Sequence, residues 1–205
     1  MAHAASERQK ALELVTNAMC PFAQKAWVAL EESKLPYTSR EISLYGPNGK
    51  PPWFLRLNPR GQVPVLVVDG NAVIDSESIL DWIATEAQHM APPDAHLGAQ
   101  WRRCIGQRVA PGGKALVLGG GSQEKAILHA ALRELEEILQ EGRGAYAAGG
   151  SFSVADAAAV PFMQRLCEEF DLPGDDTPLL RAWWERVKRR DGVAKTLQQS
   201  WWWWW

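Results

Sequence analysis

The sequence predicts a chain of two parts, an α/β domain with a mixed sheet over residues 1–88 and an all-α helical domain over residues 96–200. Two observations indicate this division. In the first part, strand-like segments alternate with helical segments in the order βαβ-α-ββα, which is typical of a mixed sheet covered by helices. Beyond it only helical patterns remain, and the proline-containing segment 89–95 is interpreted as the linker.

The first predicted elements are a strand over residues 12–16 and a helix over residues 22–33. The strand is short and partly apolar, and the helix repeats apolar side chains at a spacing that places them on one face. A second strand is predicted to end near Ile42. A turn-rich loop then leads to Lys50, where a short helical or irregular stretch begins.

Residues 63–68 are the clearest predicted strand of the chain. The pair Asp69-Gly70 indicates a hairpin turn, with the returning strand over residues 72–74. Asp75-Ser76 then begins a helix that is expected to run to residue 86, because an acidic residue at the start of a helix caps it and complements its dipole.

The second part is predicted to be helical, with one helix over residues 97–118 that is weakened by internal glycine and proline. Residues 122–140 form an amphipathic helix with one stripe of side chains directed inward: Ile127, Ala131, Leu135 and Ile138. The spacing of Ser153 and Asp156 is that of a capping box, and the alanine-rich helix that follows must be buried. Residues 177–190 form the last predicted helix.

The composition excludes several classes of function. A net charge of −2 and a pI near 6.1 give no electrostatic basis for binding nucleic acid. Cys20, Cys104 and Cys167 are too few and too scattered for a disulfide framework or a zinc site, and the histidines form no cluster, so no metal is expected. No signal peptide and no apolar run of membrane-helix length is visible. We therefore expect a cytoplasmic protein without a membrane partner.

Residues 201–205 are all tryptophan. This tail follows no helical or strand pattern, and we interpret it as a translated repeat or an artefact. The alternative is that the tryptophans cover an apolar groove on the helical domain or lie at an interface.

Cys20 stands where the first strand leads into the first helix, and Pro21 follows at the first helical position, where a missing N–H is tolerated. A thiol at a helix N-terminus faces unpaired N–H groups and the positive end of the dipole. Both favour the thiolate, so the sequence predicts a pKa below the ordinary value of about 8.5. The alternative is an inert, buried cysteine. The strand–Cys-Pro–helix context favours the reactive thiol.

Three further segments supply groups that suit a ligand. Val63-Pro64, at the clearest strand, is able to present backbone to an extended peptide, and Asp75-Ser76 offers an acceptor for an ammonium group and donors for a carboxylate. Lys50 is suited to a second carboxylate. Lys50 alone is more commonly a surface lysine, and Asp75 and Ser76 alone are more commonly a helix cap. Together with Cys20 they match a small zwitterionic peptide that carries a thiol of its own.

The segment Cys20-Pro21-Phe22-Ala23-Gln24 carries a family resemblance, as do residues 50–55, 62–66 and 75–76. Over residues 12–190 the chain resembles the cytosolic glutathione transferases, in particular the cysteine-type classes: the dehydroascorbate reductases, omega and lambda. Met19 stands where plant dehydroascorbate reductases usually carry Asp, and the short approach to Cys20 is more similar to omega or lambda.

This resemblance implies a thioredoxin-like first domain, with Cys20 as catalytic nucleophile and glutathione as co-substrate. It implies that the backbone of Val63 pairs with glutathione beside a cis Pro64. Asp75 and Ser76 are then expected to hold the γ-glutamyl end, and Lys50 the glycyl end. Pro21 and Phe22 complete the expected glutathione site.

Ala23 stands where dithiol oxidoreductases carry a second cysteine, so monothiol chemistry is expected. The predicted function is a glutathione-dependent thiol transferase or reductase. Its substrate is a small oxidised molecule, either dehydroascorbate or a glutathione mixed disulfide. The alternative is a non-enzymatic binding protein, either a ligand carrier or a relative of the chloride intracellular channel proteins. Both a monomer and a homodimer are compatible with the family.

Overall fold

The computed structural model describes residues 10–43 and 49–197, so the tail 201–205 and most of the loop before Lys50 lie outside the described residues. Within the described part, the elements up to residue 86 form a four-stranded sheet with helices against it. Its elements are β1 (Leu12–Thr16), α1 (Pro21–Ser33), β2 (Thr38–Glu41), α2 (Pro52–Leu57), β3 (Val65–Val68), β4 (Asn71–Ile74) and α3 (Ser76–Glu86).

The strand order is β2-β1-β3-β4. β1 pairs with β2 in parallel, while β3 runs antiparallel to both β1 and β4. This arrangement confirms the predicted mixed sheet and its element order. The hairpin turns at Asp69 and Gly70, which both have positive φ, as the turn residues indicated.

The rest of the described chain is almost entirely helical. Its helices are α4 (Ala95–Cys104), α5 (Ala110–Val117), α6 (Ser122–Gly142), α7 (Val154–Phe170), α8 (Pro178–Val187) and α9 (Asp191–Ala194). A π-helical segment, Ile105–Val109, joins α4 to α5. The predicted single helix over residues 97–118 is therefore a continuous helical segment with a π-helical middle. Short π-helical turns commonly occur inside α-helices.

Helix α1 lies at the centre of the molecule, because it packs against α3 of the first part and against α7 and α9 of the second. The ring of Phe22 on α1 meets that of Phe162 on α7 at a centroid distance of 5.6 Å. Every residue of helix α7 from Val154 to Leu166 is buried, as its alanine-rich sequence predicted.

The inward stripe of α6 was predicted with one error. Ala131, Leu135 and Ile138 are buried, but Ile127 is 50% exposed, and Leu128 takes the inward position instead. Leu128 packs against the facing helix, where a Cβ at Gly112 of α5 would lie 3.3 Å from Cδ1 of Leu128. Leu128 thus faces α5 at close range, and Ile127, the preceding residue, points about 100° away from it on the helix.

Candidate active site

Cys20 is the residue that precedes the first turn of α1, and it adopts an extended backbone conformation with Pro21 at the first helical position. Its N–H donates to the carbonyl of Asn17 at 3.0 Å, which closes the turn after β1. The residue is 8% exposed. Its Sγ lies 4.0 Å from the carbonyl oxygen of Val63, so the thiol faces the turn that precedes β3.

The sequence prediction of a lowered thiol pKa is wrong for this structure. Burial raises the pKa of Cys20 above its ordinary value, because a buried thiolate loses its hydration. Hydrogen bonds from the backbone of Ala23 and Phe22 and the charges of Arg165 and Lys25 act in the opposite direction and offset part of that rise. The helix N-terminus therefore favours the thiolate as expected, but desolvation is the larger effect.

A cavity of about 470 Å³ opens beside Cys20. It is large enough for a tripeptide-sized ligand, since ligand sites commonly range from about 300 to 1,000 Å³. The sequence-predicted site residues that line it are Cys20, Phe22, Lys50, Val63, Pro64, Asp75 and Ser76. Pro21 is buried in the first turn of α1 and is not among the lining residues. The fold therefore brings together seven residues that are spread over 57 positions of the sequence, from 20 to 76.

The turn before β3 is held by Asn58. Its side-chain amide donates to the carbonyl of Gln62 at 2.8 Å, and its Oδ1 accepts from the N–H of Arg60 at 3.1 Å. The next peptide bond, Val63–Pro64, is cis, as the family resemblance predicted. This bracing leaves Val63 at the wall of the cavity, with its carbonyl towards Cys20.

Asp75 caps α3 in an uncommon conformation, with φ at +80°. One carboxylate oxygen, Oδ1, accepts from the N–H groups of Glu77 at 2.8 Å and Ser78 at 3.4 Å. Within the described part of the chain, Oδ2 makes no hydrogen bond. A non-glycine residue at positive φ stores backbone strain, and such residues cluster at ligand sites. This carboxylate therefore combines a capping role with one oxygen that remains for a ligand.

The start of α3 is fixed to the rest of the molecule through Glu77. Its carboxylate pairs with the buried ammonium of Lys25 on α1, and it accepts from Arg102 of α4 at 2.7 Å. Burial acts to raise the pKa of Glu77, but these two cations hold it below the ordinary value. The ion pairs therefore hold the segment that carries Asp75 and Ser76 against both α1 and α4.

Lys50 lies along the backbone of Gly61. A Cβ at Gly61 would be 2.7 Å from Cδ of Lys50 and 3.0 Å from its Nζ, and φ of Gly61 is +62°. Glycine is favoured here for both reasons, because a side chain would displace Lys50 and the left-handed conformation costs other residues about 1–2 kcal/mol. Gly61 thus leaves the space in which Lys50 reaches the cavity.

Sequence reasoning did not assign five residues that line the same cavity: Asn58, Arg60, Gly61, Gln62 and Ile74. Four of them belong to one turn that directly precedes Val63. The signal that would have found them is the turn sequence Asn58-Pro59-Arg60-Gly61 next to a predicted ligand-binding strand. Arg60 adds a second cation to the lining of the cavity, beside Lys50 in the lining set.

The remaining cysteines lie in apolar helix contacts. Burial raises the pKa of Cys104 to about 11 and that of Cys167 to about 12, which keeps both as neutral thiols near pH 7. Across residues 10–43 and 49–197, no group of His, Cys, Asp or Glu side chains is arranged to hold a metal ion. No helix in those ranges is both long enough and apolar enough to cross a membrane.

A mixed-sheet domain with a cysteine at the start of its first helix, joined to a helical domain, defines a thioredoxin-like two-domain protein of the transferase type. Comparison with known families agrees: the description "Glutathione S-transferase, N-terminal domain" matches residues 19–86, and "Glutathione S-transferase, C-terminal domain" matches residues 106–186. The chain belongs to the glutathione S-transferase family, as the motifs indicated.

Two curated plant proteins are similar to most of the chain. Glutathione S-transferase DHAR2 of Arabidopsis thaliana is 33% identical over 151 residues, which cover 72% of this chain and 67% of the relative. The probable cytosolic glutathione S-transferase DHAR1 of Oryza sativa subsp. japonica is 33% identical over 188 residues, which cover 86% of this chain and 83% of the relative.

Solved structures share the whole fold. Rice GST1, solved in complex with glutathione, is 27% identical with a TM-score of 0.79, and the match covers 93% of this chain and 92% of that one. Glutathione transferase Omega 3C from Trametes versicolor is 24% identical with a TM-score of 0.78, covering 95% of this chain and 87% of that one. The second likeness shows the fold alone.

Proposed function

We propose that the protein is a glutathione-dependent reductase that uses Cys20 as a single catalytic thiol. The observation that carries this proposal is the position of Cys20 Sγ, 4.0 Å from the carbonyl of Val63, in the cavity that Lys50 and Asp75 also line. Glutathione is the co-substrate of the family. The cavity thus combines a nucleophile with groups that complement a zwitterionic thiol peptide.

The proposed binding mode assigns each end of glutathione to a matching group. The γ-glutamyl ammonium donates to Asp75, and its carboxylate accepts from Ser76 and the first N–H groups of α3. The cysteinyl backbone pairs with Val63 beside Pro64, which places the ligand sulfur towards Cys20. The glycyl carboxylate binds Lys50. Pro21 and Phe22 form the first turn behind the thiol.

With a glutathione mixed disulfide as substrate, the proposed reaction has two exchange steps. The Cys20 thiolate attacks the glutathione sulfur of R–S–S–G, the S–S bond breaks, and R–S⁻ leaves with the electron pair and takes a proton. The thiolate of a second glutathione then attacks the glutathione sulfur of Cys20–S–S–G. Glutathione disulfide leaves, and the Cys20 thiolate is restored.

With dehydroascorbate, the same thiol supplies a two-electron reduction. The Cys20 thiolate adds to a carbonyl carbon, and the carbonyl oxygen takes a proton. A glutathione thiolate attacks the Cys20 sulfur, the carbon–sulfur electron pair passes to the substrate, and protonation gives ascorbate and Cys20–S–S–G. A second glutathione releases glutathione disulfide. The DHAR designation of both plant relatives supports this substrate as the first to test.

Two features support a monothiol rather than a dithiol cycle. Ala23 occupies the position three residues after Cys20 where a resolving cysteine would stand. The other cysteines, Cys104 and Cys167, are held as neutral thiols by burial. Conjugation of glutathione to electrophiles is less well supported, because it needs a donor that keeps the glutathione thiolate free, and Cys20 captures it as a disulfide instead. We place this activity in the cytoplasm, in accord with the cytosolic designation of the rice relative.

The test is the rate of glutathione-dependent dehydroascorbate reduction by the wild-type protein and by Cys20→Ser. Cys104→Ser is the matched control, since it removes a thiol that burial keeps neutral. The proposal expects a rate well above the uncatalysed reaction that is lost in Cys20→Ser and kept in Cys104→Ser. Substantial activity in Cys20→Ser refutes the nucleophile. If the wild type reduces neither dehydroascorbate nor a glutathione mixed disulfide, a binding role replaces the enzymatic one.

A further inference from the structure

Helix α7 carries a buried cation, Arg165, in a stretch that is mainly apolar. Arg165 is 3% exposed, although its neighbours on the buried part of the helix are mainly alanine, valine, phenylalanine and leucine. Its guanidinium donates to the carbonyl of Met19 at 3.2 Å, directly before Cys20. It also donates to the side chain of Gln24 at 2.9 Å and to the carbonyl of Pro161 at 2.8 Å. A buried charge is costly unless it is paired in this way.

Gln24 fixes the direction in which this guanidinium points. Its Oε1 accepts from Arg165, and its amide nitrogen donates to Gln164 at 2.8 Å and to the carbonyl of Thr196 at 2.9 Å. All of these side chains are buried. The turn of α1 that follows Cys20 is thereby tied to α7 and to the end of the described chain. Arg165 has little freedom to leave the vicinity of the thiol.

We propose that Arg165 is a positioning residue for Cys20: from the helical domain it holds the Met19–Cys20 backbone in place and keeps a permanent positive charge beside the thiolate. The inference rests on the proposed function only in taking Cys20 as the reactive thiol. It differs from that function in assigning part of the thiol activation to the second domain.

The charges around Cys20 agree with this role. Lys25 on α1 and Arg165 on α7 both favour the thiolate. Glu168 and Glu169, on the same helix as Arg165, interact with it electrostatically and are the nearby opposing charges. The cavity side contributes the lining residues Lys50, Arg60 and Asp75. Burial acts to lower the pKa of Arg165, and the charges of Cys20, Glu168 and Glu169 oppose that fall. Because an arginine starts from a very high pKa, its guanidinium stays protonated in the neutral range.

The experiment follows the pH dependence of Cys20 alkylation by iodoacetamide in the absence of glutathione, with the modified residue identified by mass spectrometry. Arg165→Met removes the charge, and Arg103→Met removes a matched charge from the exposed side of α4. Loss of one nearby opposite charge shifts a pKa by roughly 1 unit or more. We therefore expect the midpoint of the profile to rise by about 1 unit in Arg165→Met and to stay unchanged in Arg103→Met.

The midpoint is a better measure than the rate at a single pH. A rise of about 1 unit lowers the thiolate fraction about tenfold, but a more basic thiolate is also about threefold more nucleophilic. The rate at neutral pH therefore falls by only about threefold. Arg165→Lys keeps the charge and is expected to restore most of the midpoint. Arg165→Gln removes the charge but keeps polar donors, and it serves if Arg165→Met does not fold.

Gln24→Met separates a purely structural role of Arg165 from an electrostatic one. It removes the hydrogen bonds between α1 and α7 at Gln24 and leaves the charge of Arg165 present. A midpoint that shifts as far in Gln24→Met as in Arg165→Met overturns the inference. A midpoint equal to that of the wild type in both Arg165→Met and Arg165→Gln also overturns the inference. These results do not depend on turnover: a wild type that reduces no substrate contradicts the proposed function, while the alkylation profiles still decide the role of Arg165.

Discussion

Asp156 gives the sharpest stability prediction, because one buried carboxylate satisfies four donors from three parts of the helical domain. It accepts from the N–H of Ala147 at 2.9 Å, from the N–H and hydroxyl of Ser153 at 2.9 and 3.2 Å, and from the indole N–H of Trp183 at 2.7 Å. Burial acts to raise the pKa of Asp156, and these hydrogen bonds oppose that rise. The capping box predicted from the sequence is thus part of a larger joint.

The perturbation is Asp156→Ala. It leaves three N–H donors without their acceptor, on Ala147, Ser153 and Trp183, and all three residues are buried. An unsatisfied buried donor costs about 1–3 kcal/mol. With about 1.5 kcal/mol for each, the free energy of unfolding is expected to fall by about 4–5 kcal/mol, a large share of the roughly 5–15 kcal/mol that stabilises most proteins.

The assay is equilibrium unfolding in urea, followed by tryptophan fluorescence and far-ultraviolet circular dichroism. Asp94→Ala is the matched control, because Asp94 caps α4 by accepting from His96 at 2.9 Å and Leu97 at 3.0 Å but does so on the surface. An exposed cap of this kind is worth about 1 kcal/mol. Equal losses of stability in Asp156→Ala and Asp94→Ala would show that the buried joint contributes nothing beyond an ordinary cap.

Two predictions concern the glutathione site. Gly61→Ala introduces a Cβ 2.7 Å from Cδ of Lys50 at a φ of +62°. We expect the free energy of unfolding to fall by about 1–2 kcal/mol and the KM for glutathione to rise with little change in kcat. An unchanged KM would contradict the role given to Lys50. Asp75→Asn keeps an acceptor that caps α3 but removes the negative charge proposed to bind the ammonium group of glutathione. The KM for glutathione should therefore rise about tenfold or more, while the stability stays nearly unchanged. A loss of stability without an effect on KM would refute the assignment.

The order of elements in the first domain was predictable because its signals are local. Alternation of apolar residues, the Asp69-Gly70 turn and the Asp75 cap each act within a few residues, and the structure confirms the strands and helices that they indicated. The cavity was predictable for a different reason. Lys50, Val63 and Asp75 were proposed from the chemistry of their groups and from a family resemblance, not from their spacing in the chain.

The rest depends on packing between distant segments, which local patterns do not contain. The thiol pKa of Cys20 was predicted in the wrong direction because burial depends on neighbours such as the turn at Val63 and helix α7. Ile127 was assigned to the inward face, whereas Leu128 is the residue that packs against Gly112 of α5. Arg165 is a buried cation on a helix whose buried part is mainly apolar, and only the folded chain reveals its contact with Met19.

Because α1 packs against both parts of the molecule, the first part is not independent of the helical part. Three of its buried polar side chains have partners beyond residue 88 or in the ion-pair network at α3: Gln24 meets Thr196, Glu32 pairs with Arg190 at 2.6 Å, and Lys25 pairs with Glu77. A gene fragment that stops after the predicted linker leaves Gln24 and Glu32 without these partners on an otherwise apolar face. Cys20 lies in the first tenth of the chain, yet the buried polar side chains of the helix that follows it gain their last partners only when the last tenth has been synthesised.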